Sequence, residues 1–167
     1  VEKIKQGYSL ESLSNYPKDN IQYRPKDHKK IVFFKDYKIA NGLEKIKTHT
    51  PEKLIDVIIE SKLSGRGGAF FPTGLKWQFC RNNKAEQKYI ICNADEGEPG
   101  TFKDRVLLNK YPELLLEGMI IAGYAVGASE GYIYLRAEYT YLKEKIENAI
   151  KKFNDLNLLG NSILNIE

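Results

Sequence analysis

A chain of 167 residues with 42% hydrophobic residues is long enough for one domain with its own core and too apolar for wholesale disorder. Lys+Arg 26 against Asp+Glu 22 leaves a net charge of +4 spread along the chain, without the block or stripe that marks a nucleic-acid binder. Lys29-Lys30 and Lys151-Lys152 read as solvated positions, and a nucleic-acid partner is not expected.

Residues 1–30 are polar, carry Pro17 and Pro25, and show neither helical nor strand period, so they read as a linker or arm. Ile31-Val32-Phe33-Phe34 is a short β-branched and aromatic run that predicts a strand. Thr50-Pro51 supplies an N-cap and a first-turn proline, and Leu54, Val57, Ile58 and Ile59 continue an apolar helical face, predicting a helix over 51–62. A glycine-rich stretch, 64–74, follows directly, and Leu75 to Phe79 opens a short helix. The continuous apolar run Tyr89-Ile90-Ile91-Cys92 predicts a strand buried on both faces. A helix is expected from about Val106 to Ala128, interrupted at Tyr111-Pro112 and best defined over 113–127; then come a strand over 132–135 and a last helix over 141–158. This alternation predicts an α/β fold, a layered and largely parallel sheet with flanking helices.

Two loops carry the chemistry. Glycines 65, 67, 68 and 74 leave backbone without Cβ atoms, which suits close approach by a phosphate or planar ligand. The stretch is neither a Walker loop nor the dinucleotide fingerprint, since a helix precedes it rather than a strand; a merely tight loop is the plainer reading. Asp95, Glu96 and Glu98 lie just beyond the carboxyl end of the 89–92 strand, where open α/β sheets bind ligands. Three adjacent carboxylates repel one another unless compensated, and Lys76, Lys103 and Arg105 are the candidate cations. A solvated acidic turn and a magnesium site are the competing readings. Across the 65–74 and 93–98 segments, the prediction is a single shared cleft.

Taken together, SGRGGAFFPTGLKW at 64–77 and NADEGEPGTFKDR at 93–105 resemble the two signatures of the flavin-binding, NADH-oxidising subunit of respiratory complex I and of related hydrogenases and formate dehydrogenases. LLEGMIIAGYAVGA and GYIYLRAEY resemble that family's next helix and strand, and the likeness extends over residues 31–165. The resemblance implies a partial domain over 31–167 that binds flavin mononucleotide (FMN) and NADH, in which NADH gives a hydride to the flavin and iron–sulfur clusters take the electrons. It implies that Gly65, Arg66, Gly67, Gly68, Lys76, Asn93, Asp95 and Glu96 surround the flavin. Phe71, Lys76, Phe79 and Glu98 would meet NADH, the two rings stacking on adenine, although core packing is the plain alternative for both. No side chain is implied as a catalytic nucleophile and no metal ligand is expected in this segment. His28 and His49 fall outside the motifs and read as surface residues.

Three departures stand against the pattern. Phe70 occupies a glycine position of the family, and a benzyl group there is expected to resist positive φ and to fill ligand space. Ser64 replaces an arginine. The family's second flavin wall, its ubiquitin-like domain and its cluster-bearing helical domain lie outside this sequence, so clusters are expected only there or in partner subunits. A non-catalytic remnant that has lost cofactor binding is therefore the second reading. Cys80 and Cys92 lack metal-binding spacing and read as free thiols of a reducing compartment, a disulfide between them being the alternative. No secretion leader is visible, and the apolar stretch 114–128 contains Glu117 and is too short for a bilayer, so a soluble cytoplasmic location is expected, at most peripheral to a membrane complex.

Overall fold

The computed structural model describes residues 42–160 and 164–166; the expected arm over 1–30 and the strand at 31–34 lie outside them. The described chain opens with a short helix α1, Glu44–Thr48, and then α2, Pro51–Glu60. The Thr50 side chain accepts the Lys53 N–H at 3.3 Å and Pro51 occupies the first turn, as the sequence predicts. Helix α2 buries Leu54 and Ile55 and stops two residues earlier than expected, with Lys62 already in left-handed backbone at φ 55°. The glycine-rich loop then leads into α3, Thr73–Asn82.

Strand β1, Tyr89–Ala94, is followed by two helices, α4, Lys103–Lys110, and α5, Pro112–Val126. The break expected at Tyr111-Pro112 thus separates independent helices, because Pro112 has no N–H to continue the ladder and starts a new first turn instead. Gly127, at φ 78°, closes α5 with its N–H on the Gly123 carbonyl at 2.8 Å. Strand β2, Glu130–Leu135, runs into a 3₁₀ turn, Ala137–Leu142, and helix α6, Lys143–Asp155. A short strand β3, Asn165–Ile166, was not anticipated, two residues being too few to leave a pattern.

The sheet order is β1-β2-β3 with both pairings parallel, Tyr89 opposite Glu130 through Ala94 opposite Leu135, then Glu130 opposite Asn165. Helix α5 is the hub: Leu116, Ile120 and Val126 join Phe153 of α6 and Leu164 in one cluster, against which Ile90, Cys92 and Ile133 of the sheet pack. Glu117, which interrupts the apolar run, is buried in α5 and its carboxylate accepts the Gly42 N–H. Helix α3 lies against α2 at Gly74, where a Cβ would come within 2.5 Å of Ile59 Cγ1 and 2.7 Å of the Ile59 backbone nitrogen.

One expectation is corrected. Strand β1 is buried on a single face: Tyr89 and Ile91 are 50% and 67% exposed, as are Tyr132 and Tyr134 beside them at 38% and 62%. Residues of α4, α5 and α6 cover the opposite face, so the composition of β1 outruns the cover it receives. Cys80 and Cys92 are free and part-buried.

Candidate functional site

The glycine-rich segment is a hairpin-like loop. Gly65 N–H donates to the Phe71 carbonyl and Thr73 N–H to the Leu63 carbonyl, both at 2.9 Å, while Ser64 and Pro72 form an antiparallel bridge. The closure leaves Arg66 to Phe70 as an exposed tip. Gly68 takes φ 102°, open to glycine, and Phe70 takes φ 50°. Phe70 was expected to resist positive φ; loop closure overrides that preference, because the chain must reverse before Phe71 can pair back to Gly65.

Beyond β1, the acidic loop is folded on its own polar groups. Asn93 Oδ1 accepts the Asp95 N–H at 3.0 Å, and Thr101 Oγ1 donates to the Glu98 carbonyl at 2.6 Å. Glu96 departs from the picture of a solvated turn: it is 5% exposed, and its carboxylate accepts the Asp104 and Arg105 amides at 3.0 and 3.4 Å. Those are first-turn amides of α4, which have no intrahelical acceptor and attract an anion. Tyr139 adds its hydroxyl to the same carboxylate at 3.0 Å. Arg136 donates to the Glu96 carbonyl and makes a two-pronged pair with Glu138 at 2.7 and 2.8 Å. That pair holds the Arg136 charge in place and keeps the Glu138 carboxyl below its ordinary range. Burial, then the bond to Glu96, pushes the Tyr139 hydroxyl up to about 12.

The two loops face each other across one cleft of about 870 Å³ at the carboxyl end of β1, within the size range of small-molecule sites. Arg66, Gly67, Gly68 and Phe70 line one side. Asn93, Asp95, Glu96, Gly97 and Glu98 line the other, with Phe102 and Lys103 at the start of α4. The sequence thus anticipates that the two segments share a cleft and nominates Arg66, Gly67, Gly68, Asn93, Asp95, Glu96 and Glu98 of its lining, but not the side contributed by 101–107. Gly65, Lys76, Phe71 and Phe79 are not among its lining residues: Gly65 is taken up in loop closure, and Lys76 is exposed on α3. Phe71 and Phe79 form an exposed tilted ring pair with centroids 6.5 Å apart, so core packing, their plain alternative, does not hold. Of the candidate cations, Lys103 pairs with Asp104 at 2.7 Å. Among the described residues no group of three or more His, Cys, Asp or Glu is arranged to hold a metal ion. Tyr139 and Arg136 leave no signal in the sequence as site residues, because their roles depend on the parallel pairing that brings the ends of β1 and β2 together.

A planar, phosphorylated ligand needs bare main chain to approach, flat apolar faces and polar donors. Gly67 and Gly97 have ordinary negative φ, and a Cβ on either would meet nothing within 4 Å. Neither backbone conformation nor packing within the described chain requires glycine there; both lie on the cleft, where a Cβ would take up room that a ligand approaching the main chain would use. Exposed rings and backbone amides complete the inventory. The residues fit such a group.

The described chain is a parallel α/β domain with its cleft at the carboxyl ends of the strands, where open sheets of this class bind ligands. Residues 58–165 match the model of the Nuo51 FMN-binding domain, and the chain belongs to that family. It is 56% identical over 113 residues to the NAD-reducing hydrogenase HoxS subunit alpha of Cupriavidus necator, covering 68% of this chain and 19% of that one. It is 49% identical over 142 residues to a subunit of the NADH-quinone oxidoreductase of Aquifex aeolicus, covering 82% and 33%. A crystal structure of an NAD+-reducing NiFe hydrogenase in the H2-reduced state superposes with a TM-score of 0.72 at 44% identity, over 78% of this chain and 23% of that one. The chain therefore spans a third or less of the length of these relatives. No described helix is long and apolar enough to cross a membrane.

Proposed function

We propose that the cleft holds FMN and that this chain forms part of an NADH-oxidising flavoprotein whose electrons leave through iron–sulfur clusters carried by further regions or partner subunits. The observation that carries the reading is the pair of facing loops with Gly67 and Gly97 open to the cleft. When bound, the flavin supplies hydride acceptance and one-electron release, chemistry that no side chain here needs to perform. The protein's part is placement. Gly65, Gly67 and Gly68 shape the loop and offer main-chain approach, Arg66 contributes positive charge, and Asn93 and Asp95 offer polar contacts from the opposite wall. Glu96 acts from beneath, holding that wall against α4 and the 3₁₀ turn. Lys76, Phe71 and Phe79, set on and beside α3, together with Glu98, are assigned to NADH, the ring pair offering a face to adenine. Residues 31–167 form the partial domain that carries these contacts.

The remnant reading rests on the Phe70 and Ser64 departures, and the open cleft beside Phe70 favours the first reading over it. The test is titration of the chain with FMN, read by quenching of flavin fluorescence, beside Gly67→Ala and Gly97→Ala. Saturable binding by the parent, weakened in both variants at unchanged melting temperature, is the expected result. Absence of saturable binding, or indifference to both alanines, would overturn the reading.

A further inference from the structure

Phe70 is expensive where it stands. A bulky residue at φ 50° occupies a backbone region that glycine fills without strain, and 63% of its surface remains in water. Yet Phe70 is one of the residues that line the cleft, on the tip that faces the acidic loop, and the cleft keeps about 870 Å³. The cleft thus leaves room beside Phe70, where this side chain is expected to take up ligand space. A second exposed ring, Phe102, lines the same cleft from the α4 side.

We infer that Phe70 is an affinity-determining wall of this site, an aromatic face on which the flat ring of the bound flavin packs, in place of the bare backbone that glycine would leave. The inference rests on the flavin reading above and adds to it a contact that the family pattern does not supply. An exposed apolar ring in a concave site gains free energy when a planar heteroaromatic group covers it, through lost apolar surface and through stacking geometry. The strain at φ 50° is then retained because the bound state makes use of the ring.

The experiment compares the full chain with Phe70→Gly, Phe70→Leu and Phe70→Tyr. Each is titrated with FMN and separately with riboflavin, which has the same ring and no phosphate, and each is melted to establish that it folds. FMN and riboflavin affinities are expected to fall together, by about tenfold in Phe70→Gly, with Phe70→Leu intermediate and Phe70→Tyr near the parent. Melting of Phe70→Gly is expected to match or exceed the parent, since the loop already has a glycine-compatible backbone. Equal or tighter flavin binding by Phe70→Gly, with the parent also binding, overturns the wall and leaves the flavin reading standing. Binding by Phe70→Gly alone makes the ring a plug and likewise overturns the wall. Flavin binding by no form overturns the flavin reading and this inference with it.

Discussion

The Tyr139 hydroxyl donates to the Glu96 carboxylate at 3.0 Å, so the loop leaving the first strand is fastened to the turn leaving the second. The two residues are 43 positions apart in sequence and meet because β1 and β2 run parallel with their carboxyl ends level. One wall of the cleft is thereby built from two crossovers.

This bond has an alkaline signature. Tyrosine ordinarily titrates near 10, and Tyr139 is raised to about 12, first by burial and then by Glu96. A hydroxyl with a raised folded value stabilises the fold fully below about pH 10, and that contribution is lost as the pH climbs toward about 12. Melting temperatures measured across pH 9 to 12 should fall more steeply for the parent than for Tyr139→Phe; identical slopes would count against the bond. At neutral pH, Tyr139→Phe is expected to cost about 1 kcal/mol, and Glu96→Ala about 2–3 kcal/mol because first-turn amides of α4 lose their acceptor as well.

Cys92 sits against the core beneath β1, and its thiol is pushed up to about 11, by burial first and by the Asp104 charge second. In a Cys80→Ser background, alkylation of Cys92 by iodoacetamide should therefore be slow at pH 8 and should accelerate toward about pH 11. A rate that levels off near pH 9 would mean that the thiol is not held in its neutral form. In the same window, pH 9 to 11, its contribution to stability declines as the pH rises.

Two glycines separate close approach from idle backbone. Gly74→Ala places a methyl against the Ile59 main chain, which cannot swing aside, and is expected to cost about 1–3 kcal/mol. Gly118→Ala, inside α5 with nothing within 4 Å of the new Cβ, should gain about 0.5–1 kcal/mol from helix propensity. Denaturant titration of both variants checks the pair, and equal effects would show that the α2–α3 contact is looser than described.

Much of this was written locally. Thr50-Pro51 announces its helix by cap and proline, the glycine-rich and acidic segments announce a cleft, and alternation announces a parallel sheet. What escaped was whatever depends on neighbours remote in sequence. Glu96 reads as one carboxylate among three until α4 and Tyr139 are placed around it. Phe70 reads as incompatible with positive φ until the Gly65–Phe71 closure imposes it. The one-sided burial of β1 was also illegible, because an apolar run states how much cover a strand is composed for and is silent on which segments provide it.

The face of the sheet that the described residues leave exposed has a colloidal consequence. Tyr89 and Tyr132 stand with ring centroids 6.1 Å apart, next to Ile91 and Tyr134, forming a flat, tacky plate flanked by the outer edge of β1, which no described strand pairs. Such a plate invites lamination of one molecule on another as concentration rises. Replacing Ile91 by Lys would place a charge at the middle of that plate and far less apolar surface within reach of a neighbour, while leaving the inward row of Ile90, Cys92 and Ala94 untouched, so shelf life and clarity in concentrated stock would improve without altering the fold.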